Sequence, residues 1–293
     1  MEKESRLSTS GTLYICATPI GNLGDITYRV VETLRSVDLI AAEDTRNSQK
    51  LLNYFEIRTP MTAYHEYNKY DKARYLVGEL MNGKNVAVIT DAGTPCISDP
   101  GEELVRQAAE AGISITSLPG PAAFVTALTL SGLPTRRICF EAFLPNEKAD
   151  KKERTRILAE LSHETRTILL YEAPHHLRKT LADLAAALGP ARRAALCREL
   201  TKKHEEVLRM TLGEALEYYS TDVHEPRGEY VLVIEGLSPE AAGQAQQESW
   251  AEMSVSDHMQ LYLDQGLSEK DAMKQVAKDR GVSKREIYDE VKR

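Results

Sequence analysis

Val86-Ala87-Val88-Ile89-Thr90 runs into Asp91-Ala92-Gly93-Thr94-Pro95-Cys96-Ile97-Ser98-Asp99-Pro100-Gly101 and then into Glu102 to Ala111, closed by Gly112. A β-branched apolar run of this kind reads as a strand buried on both faces, which is the habit of parallel strands. After Gly101 the apolar residues Leu104, Val105, Ala108 and Ala109 recur at helical spacing, and Gly112 supplies the stop. The loop between the two is longer than a plain connection requires. In open α/β sheets ligands lie in the crevice beyond the carboxyl ends of the strands, so a Gly/Pro-rich loop there predicts close approach of backbone to a small molecule. Gly and Pro also serve ordinary turns, and recurrence of the arrangement is what separates the two readings.

It does recur. Thr12 to Ala17 reads as a strand, followed by Thr18-Pro19-Ile20-Gly21-Asn22-Leu23-Gly24-Asp25 and a helix from about Thr27 to Arg35. This loop is not G-x-G-x-x-G, which removes the simplest dinucleotide-binding reading. Leu39 to Ala42 ends in Glu43-Asp44-Thr45-Arg46, a helix runs to Tyr54, and Met61 to Tyr64 leads to His65-Glu66-Tyr67-Asn68. A helix from Tyr70 to Asn82 precedes the quoted strand, and Ile113 to Leu118 closes the series. Strands alternating with helices at this spacing predict a largely parallel sheet.

Pro119-Gly120-Pro121 reads as a hinge to a second alternating run. Its elements are a helix at Ala122 to Leu130, strands at Ile138 to Phe143, Thr167 to Tyr171, Ala194 to Arg198 and Glu229 to Glu235, and helices at Lys151 to Leu161 and from Pro174 to Gly189. In the last strand Tyr230, Leu232 and Ile234 share one face and Val231 and Val233 the other, so it belongs inside a sheet. Ser238 to Glu252 is rich in Ala, Gln and Glu, as in a linker or surface helix. Ser268 to Arg280 and Lys284 to Val291, joined through Gly281, have the helix-turn-helix pattern. Between Gly266 and Arg293 eight Lys/Arg face six Asp/Glu. That balance suits nucleic acid, and equally a packing or dimerisation element. The expected units are 12–118, 119–237 and 250–293.

The 293 residues are 42% hydrophobic and 28% charged, with a net charge of -7, which argues against a general nucleic-acid coat while leaving room for local basic patches. Cys16, Cys96, Cys139 and Cys197 are too scattered for a zinc site or a disulfide scaffold, and read as free thiols in a reducing compartment. No apolar run reaches the roughly 18 residues of a membrane span. Met1 to Ser10 is polar, without the apolar core of a signal peptide. The expectation is a loose tail on a cytoplasmic protein, with no membrane and no metal.

Six ordered blocks carry a family resemblance: Ala17-Thr18-Pro19-Ile20-Gly21-Asn22-Leu23-Gly24-Asp25, Ala42-Glu43-Asp44-Thr45-Arg46, Asp91-Ala92-Gly93-Thr94-Pro95 with Ser98-Asp99-Pro100-Gly101, Pro119-Gly120-Pro121, Tyr171-Glu172-Ala173-Pro174-His175 and Arg198-Glu199-Leu200-Thr201-Lys202. Together they resemble the ribosomal RNA small subunit methyltransferase I family, a branch of the tetrapyrrole (class III) methylases, over about Thr12 to Leu237. The tail resembles that family's small C-terminal helical domain. The fold this implies is α/β, with two α/β domains of the tetrapyrrole methylase type and a helix-turn-helix-like C-terminal domain. The implied activity is methyl transfer from S-adenosyl-L-methionine to the ribose 2′-hydroxyl of a cytidine in the decoding region of 16S ribosomal RNA, by a homodimer acting within the small subunit.

A ribose hydroxyl is a poor nucleophile, so a positioned base should help it lose its proton. The candidates are Glu43, Asp44, Asp91 and Glu172 at predicted strand ends, with Arg46 beside them and His65 as the neutral-pH alternative. Each has an ordinary reading. Glu43 and Arg46 suit an ion pair with Asp44 as helix cap, Asp91 suits a turn, and most histidines are structural. For the cofactor the resemblance implies Pro19, Ile20, Asp91, Ala92, Gly93, Thr94, Pro95, Ile97 and Ser98, with Ala122 and Ala123 at a helix N-terminus for the carboxylate. Tyr171 and the Gly228-Glu229 turn would flank the adenine. RNA phosphate is expected on two basic segments, one with Lys148, Lys151, Lys152, Arg154 and Arg156, the other with Arg192, Arg193, Arg198, Lys202 and Lys203. The rival readings are a superfamily enzyme acting on a tetrapyrrole or other small acceptor, and a non-catalytic nucleic-acid-binding regulator built around the tail. Thr94-Pro95, where corrinoid enzymes of this resemblance carry Asp-Pro, counts against the first.

Overall fold

The computed structural model describes residues 10–146 and 150–291. The expected N-terminal tail, all but Ser10, and Lys148 lie outside the described residues. The quoted strand, β4 (Val86–Ile89), is buried at all four positions and sits at the centre of a five-stranded parallel sheet of order β3-β2-β4-β1-β5. Its neighbours are β1 (Thr12–Cys16) and β2 (Leu39–Ala42), with β3 (Met61–Ala63) and β5 (Ser114–Leu118) at the edges.

Alternation along β4 builds the two halves of the first core. Val86 and Val88 join Leu13, Ile15 and Ala41 beneath α3 (Lys69–Met81) and α4 (Gly101–Glu110), through Leu76, Leu80 and Leu104. Ala87 and Ile89 face the other way, against Val30, Leu34 and Leu52 of α1 (Tyr28–Ser36) and α2 (Thr45–Tyr54). Full burial of such side chains stabilises by about 1.5–3 kcal/mol each, which fixes helices on both faces. The chain leaves β1 to build β2 on one side and leaves β4 to build β5 on the other, so the crevice between these two carboxyl ends is a topological switch point.

The second sheet, of order β6-β7-β10-β8-β9, is mixed, a direction that the alternation of its elements left open. β6 (Ile138–Phe143) and β7 (Thr167–Glu172) are parallel, but β10 (Tyr230–Ile234) runs antiparallel between β7 and β8 (Arg193–Arg198), and β9 (Glu206–Thr211) is antiparallel to β8. The expected face division of β10 holds. Tyr230, Leu232 and Ile234 pack with α6 (Lys151–Ser162), α7 (Pro174–Leu188) and α8 (Leu212–Ser220), while Val231 and Val233 meet Ala127 and Leu128 of α5 (Ala123–Ser131). Ile20, from the loop after β1, is buried in this second cluster and ties the two lobes together.

Four helices complete the chain: α9 (Pro239–Glu252), α10 (Val255–Asp264), α11 (Glu269–Asp279) and α12 (Lys284–Val291). Ser254 and Ser268 cap α10 and α11 by accepting from the amides of Asp257 and Asp271. The last three helices close on their own core of Val255, Met259, Ala272, Met273, Val276, Ala277 and Ile287. Among the described residues no helix is long and apolar enough to cross a membrane.

Candidate active site

The loops after β1 and β4 are joined by a two-bond bridge, Thr18 N to Gly93 O at 2.9 Å and Gly93 N to Thr18 O at 3.1 Å. Thr94 Oγ1 donates to Pro121 O at 3.0 Å, which ties the same loop to the inter-lobe connection. Gly93 sits at φ +83°, and a Cβ there would lie 3.2 Å from Ile20 Cγ2, so the residue is small for both conformational and steric reasons. Cys96 and Ser98 also hold left-handed backbone, at φ 69° and 63°, the kind of local strain that collects at ligand clamps. Asp99 braces this loop by accepting from Gly101 N at 2.7 Å. Burial pushes its carboxyl above the ordinary range against the backbone amides that it accepts.

Between the lobes these segments enclose a cleft of about 310 Å³. Of the expected cofactor residues, Ile20, Ala92, Gly93, Thr94, Ile97, Ser98, Ala122, Ala123, Tyr171 and Glu229 line it. Pro19 and Asp91 instead line a second cavity that adjoins the first at Thr90, and Pro95 and Gly228 line neither. Sequence reasoning missed the aromatic pair Phe124 and Phe143 and the acidic Glu199. Phe140 meets Phe124 at 4.7 Å and Tyr171 at 5.2 Å, so the aromatic wall is a packed unit rather than separate rings.

The cleft lining carries five carboxylates, Glu43, Asp99, Glu172, Glu199 and Glu229, and one cation, Lys202. A group with a positive sulfur, an aromatic base and a carboxylate fits this lining. The excess negative charge and the aromatic faces suit the cation, and Ala92, Gly93, Ala122 and Ala123 let backbone approach. The N-terminus of α5, without a side-chain cap, is left for the carboxylate.

The candidate bases separate clearly. Glu43 reaches the cleft, where its Oε2 accepts from Thr90 Oγ1 at 2.7 Å. Asp44 caps α2 by accepting from Arg46 N at 2.8 Å and pairs with the exposed Arg46 side chain at 3.3 Å, which lowers its carboxyl. Asp44 is thus the helix cap expected of it, whereas the partner of Arg46 is Asp44 and not Glu43, which turns to Thr90 instead. His65 is outside the cleft lining; it heads the short turn Glu66–Asn68, whose Asn68 side chain accepts from His65 N at 2.9 Å. Glu172 is 3% exposed and already engaged, accepting from Thr180 Oγ1 at 2.5 Å and from Ala173 N at 2.8 Å. Asp91 accepts from Asp44 N at 3.3 Å and from the Asn47 side chain. Burial, reinforced by the nearby charge of Glu43, raises its carboxyl above the ordinary value.

Two expected RNA contacts are corrected by burial and pairing. Arg154 is 4% exposed, donating to Asp183 Oδ2 at 2.8 Å, Thr180 Oγ1 at 3.0 Å, Pro145 O at 3.1 Å and Asn146 Oδ1 at 3.1 Å. Its guanidinium holds the loop after β6 to α7. Lys202 bridges Glu199 and Glu229, 2.8 Å from each, and serves as a brace of the cleft wall. Lys151, Lys152 and Lys203 are exposed. Arg192 and Arg193 lie at the start of β8 and Arg198 at its end, so the second basic segment is divided by the length of a strand.

Comparison with known proteins agrees with this geometry. The family model described as Tetrapyrrole (Corrin/Porphyrin) Methylases matches residues 12–216. A protein of Synechocystis sp. named ribosomal RNA small subunit methyltransferase I is 45% identical over 278 residues, 95% of this chain and 96% of its own. A protein of the same name from Bacillus subtilis is 43% identical over 282 residues, covering 96% and 94%. Among solved structures, diphthine synthase superposes with a TM-score of 0.57 at 14% identity, over 82% of this chain and 95% of that one, a likeness of fold. The chain belongs to the tetrapyrrole methylase family and, within it, to the ribosomal RNA small subunit methyltransferase I family, whose members take their methyl group from S-adenosyl-L-methionine.

Proposed function

We propose that the protein methylates the ribose 2′-hydroxyl of a cytidine in the decoding region of 16S ribosomal RNA, within the small ribosomal subunit. The observation that carries this is the likeness to the Synechocystis protein across 95% of the chain, in a molecule whose inter-lobe cleft suits a cationic donor. When bound, S-adenosylmethionine supplies an electrophilic methyl on a positive sulfur, and no metal is needed.

The chain's own part is to position and to take a proton. Displacement at carbon requires the acceptor oxygen in line and near contact distance, so orientation supplies much of the rate. The backbone of Ala92 to Ser98 and the start of α5 at Ala123 hold the donor's amino acid end, and Tyr171 with the Glu229 turn holds its base. Asp91, at the junction of the cleft and its neighbouring cavity, receives the hydroxyl proton. Its partial burial and the charge of Glu43 make it a stronger base than a solvated carboxylate. Lys151, Lys152 and Lys203 meet RNA phosphate. The protein works as a cytoplasmic homodimer, with residues 12–118, 119–237 and 250–293 as its three units.

Mass mapping of ribose methylation on ribosomal RNA from a strain lacking the gene, with and without the gene restored, tests the reading. Loss and return of one methyl on a decoding-region cytidine is expected. An unchanged map, or transfer to uroporphyrinogen in place of 30S subunits, would overturn it.

A further inference from the structure

The cavity beside the cleft is distinct in shape and chemistry. It encloses about 290 Å³ between the loop Thr18, Pro19, Gly21, Leu23 and one face of α2, formed by Asn47, Ser48, Lys50, Leu51 and Tyr54. The positions 47, 50, 51 and 54 lie one helical turn apart, so the groove follows α2 for about 10 Å. Its inner end is Thr90 and Asp91, and Thr90 also lines the cleft, so the two cavities meet at this residue. Its outer end is Tyr54, whose side chain is 65% exposed with the ring steadied edge-on by Phe55 at 4.9 Å.

The polar groups form an ordered string. Lys50 Nζ donates to Asn47 Oδ1 at 3.4 Å, and the Asn47 side chain donates in turn to the Asp91 carboxylate. This leaves a carboxylate at the end nearest the cleft, an ammonium midway and an exposed aromatic face at the far end. We propose that this groove receives the acceptor nucleotide of the RNA, everted from its strand, with its ribose at Asp91, its phosphate near Lys50 and its base against Tyr54. The inference rests on the reading of the protein as an RNA methyltransferase and adds the place and polarity of the acceptor.

The chemistry favours one nucleotide over a flat tetrapyrrole. A macrocycle requires a broad trough, whereas this groove is one helix face wide. Enzymes that modify a base extrude its nucleotide from the stack into a pocket of their own, and the same eversion into this groove would set a ribose at Asp91. Single-stranded RNA is held by aromatic side chains stacked on bases, with ammonium groups on phosphate. Leu23, 39% exposed across the groove from α2, offers an apolar face opposite the tyrosine.

The test uses the full-length protein with 30S subunits as acceptor and isolated S-adenosylmethionine binding as the control. Tyr54→Ala should raise the acceptor KM about tenfold, the scale of one lost base stack, while donor affinity and kcat at saturating subunits stay near wild type. Tyr54→Phe should restore the KM, which a purely structural role of the hydroxyl would not allow. Lys50→Glu should raise KM with a shallower salt dependence. Unchanged KM in both Tyr54→Ala and Lys50→Glu, with an active wild-type protein, would overturn the pocket alone. A wild-type protein that transfers no methyl to 30S subunits would overturn the RNA reading and this inference with it.

Discussion

Gly21 lies against the side chain of Lys202, with no room for a Cβ between them. The glycine belongs to the loop after β1 and the lysine to the turn after β8, so this contact is where the lobes close over one wall of the cleft. Gly21→Ala must displace the lysine stem, and with it the two ion pairs to Glu199 and Glu229. Donor affinity should fall about tenfold with the circular dichroism spectrum unchanged, as read by calorimetric titration with S-adenosylmethionine.

Arg154 and Lys152 make a matched pair on one helix. Arg154→Ala leaves Thr180 and Asp183 without their cationic partner, and should lower the unfolding free energy by about 3 kcal/mol in urea. Lys152→Ala should move it by less than about 0.5 kcal/mol, while weakening rRNA binding and lowering the salt slope by about one. The opposite pattern would place Arg154 on the RNA.

Methyl transfer should depend on Asp91 in its charged form, so kcat/KM should rise with pH through its elevated pKa and then level off. Asp91→Asn should cost on the order of 10² to 10⁴ in kcat with donor binding retained. Burial is the larger cause of the elevation and Glu43 adds to it. Glu43→Gln removes that negative neighbour, so the carboxyl titrates lower and the acidic limb of the pH profile moves to lower pH.

The C-terminal helices carry a pH dependence of their own. His258 is fully buried, stacked on Trp250 at 4.0 Å and faced by Arg280, Asp279 and Tyr262. Arg280 Nε donates to its Nδ1 at 3.2 Å, which requires a neutral ring. Burial first, and Arg280 second, hold its pKa below the ordinary 6.5, while Asp279 opposes the shift. Below that value the unfolded chain binds more protons than the folded one, so stability is lost as pH falls from 6.5 toward the folded pKa and is level below it. Fluorescence of Trp250, the chain's one tryptophan, should report a lower melting temperature for these helices at about pH 5 than at about pH 7.5.

What could be read in advance depended on burial pattern. β4 and β10 are apolar on both faces, and both proved to be central strands. β9 did not announce itself, because Glu206 and Arg209 interrupt an edge strand that packs mainly through Leu208 and Met210. The antiparallel course of β10 was equally hidden, since strand and helix alternation carries no direction once a hairpin such as β8–β9 intervenes. Within the site, glycine and proline marked the cofactor loops, but charge gave no hint that Arg154 would be buried or Lys202 held by two carboxylates. The groove along α2 exists only because the loop at Pro19 to Leu23 folds against that helix, a tertiary fact with no local signature.

The most direct measurement is a crystal structure of the protein soaked with S-adenosylmethionine. The account predicts density in the inter-lobe cleft, with the amino acid end against Ala92 to Ser98 and the start of α5 at Ala123, the adenine by Tyr171 and Glu229, and the methyl toward Asp91. Density elsewhere, or an empty cleft at saturating donor, would contradict it.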